Sequence, residues 1–326
     1  MKSRDILLRA ALCALGAAAA IAGATPAHAV LTCSFNITNI NFGNINLLNN
    51  TNFDTTGTLT ANCTGGVANS TARICPNLNA GSGGTTTGNP RFMLNGATQL
   101  NYNLYSNSAR TTVWGSYLWG FSFRPPTLNI SLNASGAGSG SLTIYGRVSS
   151  GQQTKAAGSY LSTFSGGEVQ IAYARSTVGT CAAIGATNAT SVTFTVTATF
   201  PATCSVASTV HNFGSAGVLA AARDGTSTVT ATCSSTTPYS IGLNGGTTGA
   251  TDPTLRKMSK GAARITYGLY RDAARTQPWG STIGTDTAGG TGSGVGQAYT
   301  VYGRVPAQTT PAAGAYADTI IATVTY

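Results

Sequence analysis

Few side chains of this 326-residue sequence can move a proton, attack a carbonyl or hold a metal, and those few are scattered. Glu168 is the only glutamate, and His211 is the only histidine beyond His28. One histidine and one glutamate do not build a three-ligand metal cluster of the usual kind. No sequence context around His211 supports a Ser-His-Asp arrangement. His211 directly precedes Asn212-Phe213-Gly214, and Ile40 directly precedes a similar block, Asn41-Phe42-Gly43. A position filled by Ile in one block and His in the other reads as structural. The expectation is a protein that is not an enzyme and needs no cofactor and no metal. Asn-x-Ser/Thr triplets such as Asn36-Ile37-Thr38 arise by chance in a chain so rich in Asn, Ser and Thr, and carry no function here.

The remaining reactive side chains are cysteines. Lys2, Arg4 and Arg9 begin the chain, Ala10 to Ala24 is apolar and small, and Ala27-His28-Ala29 has the form of a cleavage site. Residues 1–29 are therefore expected to be a secretory signal peptide, too short in its apolar run to span a bilayer. The mature chain is expected to start at Val30, with no later segment apolar enough to cross a membrane. It keeps six cysteines: Cys33, Cys63, Cys75, Cys181, Cys204 and Cys233. An even number in an exported chain argues for disulfides. None sits in a Cys-x-x-Cys, so each is expected to be a staple and not a redox centre. The mature chain also keeps 15 basic and 7 acidic side chains, a net charge of +8. These charges are dispersed, with no basic run beyond Arg256-Lys257, which argues for a solvated surface and against nucleic-acid binding.

Gly, Thr, Ser and Asn dominate, no long window has helical apolar spacing, and alternating runs bounded by Gly and Asn recur. The expected class is all-β. The halves share landmarks in one order. Cys33 then Asn41-Phe42-Gly43 matches Cys204 then Asn212-Phe213-Gly214. Thr60-Ala61-Asn62-Cys63 matches Thr230-Ala231-Thr232-Cys233. "YNLYSNSARTTVWG" at 102–115 matches "YGLYRDAARTQPWG" at 267–280. "YGRV" stands at 145–148 and 302–305, and Ala157-Gly158-Ser159-Tyr160 matches Ala313-Gly314-Ala315-Tyr316. The chain reads as two copies of one β domain, 30–200 and 201–326, with the boundary near Phe200-Pro201. The near-equal separations pair Cys33 with Cys63 and Cys204 with Cys233. Cys75 and Cys181, absent from the second copy, are left to each other.

Taken together and twice over, these blocks resemble the spore coat protein U domain, found in pilins of archaic (Csu-type) chaperone–usher pili. The resemblance covers nearly the whole mature chain. It implies immunoglobulin-like β-sandwiches in tandem, assembled by donor-strand complementation. In that mechanism a subunit lacking its last strand takes one from a periplasmic chaperone, and then from an adjacent pilin subunit at the outer-membrane usher. It also implies a pilus tip adhesin, exported through the periplasm to the cell surface and joining an abiotic or host surface.

The residues speak to the same question. "YADTIIATVTY" places Ile320, Ala322, Val324 and Tyr326 on one face of a strand, the expected edge of a groove to which a donor strand adds. In the first copy, residues 192–200 ("VTFTVTATF") alternate strictly, with Val192, Phe194, Val196, Ala198 and Phe200 on one face. This segment is either the strand that closes the first copy in cis or an ordinary strand linking the two. Only Val30, Leu31 and Thr32 precede Cys33, so the expected protein accepts a strand, has none to give, and sits at the distal tip.

The segment after Trp114-Gly115 is eight residues longer than its counterpart after Trp279-Gly280. It holds "SYLWGFSFRPP". Trp114 aligns with Trp279 and is an expected core residue. Tyr117, Leu118, Trp119, Phe121 and Phe123 have no aromatic or leucine partner in "STIGTDTAGG". Two readings stand: a loop stiffened by Pro125-Pro126 that holds apolar side chains out to bind a surface, or an extra hairpin packed onto the first copy. Phe121 and Phe123 could be buried while Tyr117 to Trp119 form the tip. Segments 75–92 and 175–189, tethered at Cys75 and Cys181, are further first-copy elaborations, with Leu78, Val178 and Ile184 as candidate apolar tips. Alternative functions are a carbohydrate-binding tip lectin, with Trp and Tyr stacking on sugars beside Asn129 and Asn133, and a structural spore- or cell-coat subunit with no adhesive role.

Overall fold

The computed structural model describes residues 30–85 and 89–326; the expected signal peptide lies outside the described residues. The chain is almost wholly β. The strands up to Phe200 are β1 (Thr32–Ile37), β2 (Ile40–Asn44), β3 (Phe53–Thr64), β4 (Thr71–Leu78), β5 (Arg91–Asn95), β6 (Thr98–Tyr105), β7 (Leu128–Ser131), β8 (Gly138–Val148), β9 (Gly158–Phe164), β10 (Val169–Arg175) and β11 (Phe194–Phe200). A single turn of helix, α1 (Cys181–Ile184), lies between the last two. The later strands are β12 (Cys204–Ser208), β13 (Arg223–Cys233), β14 (Pro238–Leu243), β15 (Arg256–Lys260), β16 (Ala263–Tyr270), β17 (Ala288–Thr291), β18 (Gly296–Val305) and β19 (Ala322–Thr325).

These strands form two sheet pairs. The first module has an eight-stranded sheet ordered β1-β3-β8-β6-β5-β9-β11-β2 and a three-stranded sheet ordered β10-β4-β7. The second has a five-stranded sheet, β12-β13-β18-β16-β15, and a three-stranded sheet, β17-β14-β19. Each pair encloses its own apolar core. Alternation builds it: Phe194, Val196, Ala198 and Phe200 are all buried, and the threonines between them are half-buried.

The repeated landmarks do the same work in both modules. The indole N–H of Trp114 donates to the Pro76 carbonyl at 2.7 Å, and that of Trp279 to the Ile241 carbonyl at 2.9 Å. The arginine of each Tyr-Gly-Arg-Val block, Arg147 or Arg304, makes a bidentate pair with Asp54 or Asp224 on the neighbouring strand. A second arginine, Arg110 or Arg275, joins each pair. Cys33 and Cys63 face each other in register across β1 and β3, as Cys204 and Cys233 do across β12 and β13, and both pairs are bridged. The Cys75–Cys181 bridge ties β4 to α1. It closes a small second core with Ala172, Ala174 and Ile184.

Candidate functional site

The modules differ most at one edge. In the first, β9 is held extended by pairing antiparallel with β11 along its whole length, Gly158 to Phe164 against Phe200 to Phe194. On its other side β11 runs parallel to β2, with Val196 opposite Ile40. Segment 192–200 thus supplies the strand that closes this module. In the second module the residues matching β9, 314–320, are not a strand, and among the described residues nothing takes the place of β11. One pair survives: Leu94 opposite Leu161 in the first module corresponds to Ser259 opposite Ala317 in the second. The rest of that backbone edge has no partner strand, a configuration that costs stability and invites strand addition.

The cost shows in equivalent side chains. Met93 and Leu100 are fully buried, but their counterparts Met258 and Ile265 are only partly covered. Between the chain at 208–214 and the chain at 310–320 lie two adjoining cavities of about 540 and about 560 Å³. Phe213, Met258, Tyr267, Leu269 and Val301 floor the first, and Leu219, Ile265 and Val305 contribute to the second. Of the residues expected at the groove edge, Ile320 and Ala322 line it. Val324 and Tyr326 do not: β19 pairs with β14, Val324 packs on the core and Tyr326 is 57% exposed. The edge therefore lies N-terminal to the expected strand. The same alternation serves a strand facing the core and a strand facing a groove, so periodicity does not separate the two.

Asp318 and His211 are among the polar side chains that line this groove. Asp318 accepts hydrogen bonds from the Tyr267 hydroxyl at 2.6 Å, from the Thr247 amide at 2.8 Å and hydroxyl at 2.7 Å, and from the Thr319 amide at 2.8 Å. Burial works against its charge, but these donors outweigh burial and hold its carboxyl below the usual carboxylate range. Opposite, His211 Nδ1 shares a hydrogen bond of 2.8 Å with Ser227 Oγ, while its Nε2 is buried without a partner. Burial, and then the charge of Arg275, push its imidazole below the ordinary histidine value, toward the neutral form. His211 thus lines both cavities, in contact with Phe213 at a ring separation of 4.7 Å.

The aromatic segment of the first module is an irregular, strongly braced loop. Gly115 and Ser116 donate backbone hydrogen bonds to Arg124 and Phe123 at 3.4 and 3.1 Å, closing its neck. The buried Asn77 carboxamide oxygen accepts from the Ser116 hydroxyl at 3.1 Å and from the Tyr117 amide at 2.8 Å. Arg124 donates to the carbonyls of Ser116 and Phe121 and lies 4.9 Å from the Tyr117 ring centre. Tyr117 is 37% exposed, and Leu118, Trp119 and Phe123 are half-buried. Phe121 is buried, 5.5 Å from the guanidinium of Arg91, and is an inward anchor that has no face to offer a surface. Leu78 and Ile184 are core residues and not apolar tips. Asn129 accepts from Arg73 at 3.2 Å. Asn133 caps its own turn through bonds from Ser135 and Ala137. Among the described residues no group of three His, Cys, Asp or Glu side chains is placed to hold a metal.

Sequence reasoning missed Arg91 and Arg256, both fully buried. Each donates to the carbonyl of its module's matched tryptophan, Trp114 or Trp279, at 2.7 Å. Their equal distance from the matched tryptophans, 23 residues in each copy, was the available signal.

The Spore Coat Protein U domain matches residues 18–166 and 190–323 of this chain. Protein U of Myxococcus xanthus is 38% identical over 74 residues, 22% of this chain and 41% of that relative, so the chain spans about two fifths of the curated relative's length. Among solved structures, the chain is similar to the CsuC–CsuE chaperone–tip adhesion subunit pre-assembly complex from archaic chaperone–usher Csu pili of Acinetobacter baumannii. The TM-score is 0.53 at 19% identity, covering 90% of this chain and 100% of the other. At that identity the likeness is one of fold. The CupB6 tip adhesin of Pseudomonas aeruginosa aligns more loosely, with a TM-score of 0.34 at 11% identity over 90% of this chain and 94% of that one.

Proposed function

The chain belongs to the Spore Coat Protein U domain family, and from that premise we propose that it is an exported tip subunit of a chaperone–usher pilus. Its second module accepts a strand from a periplasmic chaperone and then from an adjacent subunit. Its first module, complete in itself, presents the 115–124 loop to an apolar surface. One observation carries this reading: the place filled by β11 in the first module is an apolar groove with unpaired edges in the second. A sheet edge beside an apolar groove is what strand addition needs, since main-chain bonds supply affinity and side-chain pockets supply selectivity.

The test is secretion of the full chain with and without a co-expressed periplasmic pilus chaperone. Intact protein is expected only with the chaperone, and proteolysis without it is expected to begin in the second module. A chain purified alone whose amides at 211–214 and 314–320 resist hydrogen exchange overturns the groove.

The adhesive role is tested separately. Tyr117, Leu118 and Trp119 offer partly exposed apolar surface on a braced loop, and complete burial of such a side chain is worth roughly 1.5–3 kcal/mol. Many pili acting together multiply weak contacts. Replacing all three by Ser is expected to leave the melting temperature and pilus assembly unchanged and to abolish attachment to plastic. Normal attachment by assembled pili of this variant rules the loop out.

A further inference from the structure

The two modules meet end to end, and the junction joins two different surfaces. One long strand in each module runs between these surfaces. In the first, β8 has Gly138 opposite Cys63 of the bridged pair and Val148 opposite Phe53 at the far end. In the second, β18 has Gly296 opposite Thr232, next to Cys233, and Val305 opposite Arg223. The loop after β8, 149–157, lies on the bridged end of the second module. Ala156 pairs with Ser235, two residues beyond Cys233. Gly294 is buried under the same loop, and a Cβ added to it would stand 2.1 Å from the Gln153 carbonyl oxygen. The connection between the modules is short. Phe200, the last inward residue of β11, stands four places before Cys204, and Thr203 is already fastened to the second module, its carbonyl accepting from the Ser234 amide at 2.9 Å. Four residues span at most about 14 Å. A strand that fills the first module thus brings the next module against the 149–157 loop. The first module's own bridged end is covered by its own chain. Cys63 lies 13 residues before Pro76 and Cys233 only 8 before Ile241, the two carbonyls bonded by the matched tryptophans. In the longer segment Gly66 donates to the Gly136 carbonyl at 3.1 Å and packs against Leu132.

We propose that the loop after β18, 306–313, is a docking surface for the bridged end of the next subunit. That subunit is a domain of this same family whose donor strand, like β11, ends in an inward apolar residue four places before its first cysteine. The inference rests on the strand-accepting groove proposed above and adds to it a second contact and a linker length. The two loops are built alike. Gln152 accepts from the Asn101 amide at 2.6 Å and donates to its carbonyl at 2.9 Å, and Gln308 does the same with Thr266 at 3.0 and 2.9 Å. Tyr160 and Tyr316 donate from their hydroxyls to the Ala156 and Ala312 carbonyls, each at 2.6 Å. Their surroundings differ. Gln153 and Ala156 are half-buried at the junction, whereas the matching Thr309 and Ala312 are exposed. A donor strand in the place of β11 would end opposite Gly314, as Phe200 ends opposite Gly158, and so beside the uncovered loop. Residues 306–313 carry no charge, and neither do Ser234, Ser235 and Gly294 on the surface that the first loop meets. The matching surface on the partner is therefore small and uncharged, directly after its second cysteine. A contact between two different surfaces propagates head to tail along a filament. The groove sets the register of the partner's strand, and the loop sets how its domain stands on this one.

The experiment uses the full chain in assembled pili, with a benzophenone amino acid at one exposed position at a time and the photoproducts mapped by mass spectrometry. At Thr154 the probe is expected to link within the chain to the peptide around Gly294 or the one after Cys233; no such link overturns the junction from which the inference is drawn. At Thr319 it reports the groove, because the matching Thr163 lies opposite Thr195 of β11. There the expected product joins the neighbour's donor segment. At Ala312 the expected product joins the neighbour's peptide directly after its second cysteine, in about tenfold greater yield than any product from Ile283, which is 60% exposed and outside the groove. A flexible Gly-Ser spacer inserted between the neighbour's donor segment and its first cysteine is expected to lower the Ala312 product about tenfold and leave the Thr319 product unchanged, because the effective concentration of a tethered contact falls as its linker lengthens. An Ala312 product no greater than that of Ile283, or one mapped elsewhere on the neighbour, with the Thr319 product intact, overturns the inference and leaves the groove standing. An Ala312 product that survives the spacer overturns the four-residue spacing. Loss of the Thr319 product from assembled pili overturns the groove and the inference together.

Discussion

Val196→Asp is expected to unfold the first module at a urea concentration where the unaltered module is fully folded. Val196 is completely buried, flanked by Ile40 and Ser162 on the neighbouring strands, and has no cation beside it. A carboxylate placed there either stays charged without a partner or takes up a proton and still lacks hydrogen bonds. The loss of a partner for a buried charge costs about 3–5 kcal/mol, and the lost burial of the valine adds about 1.5 kcal/mol or more. Against a typical domain stability of about 5–15 kcal/mol, that is a large share. The control is Thr197→Asp, one residue away on the opposite face, where the side chain is half-buried. Its effect is expected to stay below about 1 kcal/mol. Urea titration followed by tryptophan fluorescence, with limited proteolysis to assign the module, separates the two. Equal, small effects would show that β11 adds nothing to the first module, and the contrast between a closed and an open module would go with it.

How much of this was legible beforehand depended on whether a residue's role is local. The internal repeat was visible because its landmarks have fixed partners within one module: a tryptophan bonding a backbone carbonyl, an arginine pairing an aspartate on the next strand, two cysteines in register. Such roles depend on the type of residue, and the same residues fill them in both copies. The closing strand was also readable, since strict alternation over 192–200 admits a strand buried on one face. The groove edge was not. The alternation of Ile320, Ala322, Val324 and Tyr326 is continuous, and only the pairing of β19 with β14 shows which part of it is already used. Phe121 resembles its loop neighbours in type, and it is buried beside Arg91, a residue distant in sequence. His211 was recognised as the replacement for Ile40. The compensating change, Gly57 in the first module to Ser227 in the second, lies on another strand and shows only in the bond between His211 and Ser227.

Arg91→Met carries the second large expected effect, and the aromatic loop gives it a functional signature. Arg91 is fully buried and donates to the Asn79 carbonyl at 2.7 Å, the Asn103 side-chain oxygen at 2.6 Å, the Leu78 carbonyl at 3.2 Å and the Trp114 carbonyl at 2.7 Å. Burial brings its pKa down to about 10, so it is still a cation at neutral pH. Its charge is met by oxygen dipoles, with no carboxylate bonded to it. Methionine restores much of the volume but leaves three backbone carbonyls without donors. At about 1–3 kcal/mol for each buried group, partly offset by the relief of no longer burying a charge, the net loss is expected to be about 3 kcal/mol. Arg91→Lys recovers only part, because an ammonium cannot span the planar fork of acceptors that a guanidinium fills. Arg256→Met is the matched comparison: Arg256 donates to Asn244, Pro253, Leu243 and Trp279 in the same manner. Both variants are expected to lose comparable stability. Only Arg91→Met also removes the support under Phe121 and the root of the 115–124 loop, so only there should amide exchange at Ser116, Leu118 and Phe121 accelerate, by about tenfold or more, at urea concentrations where the module remains folded. Unchanged exchange at those three amides would mean that the loop is braced by Asn77 and Arg124 alone, and that the buried arginine serves the core and not the surface.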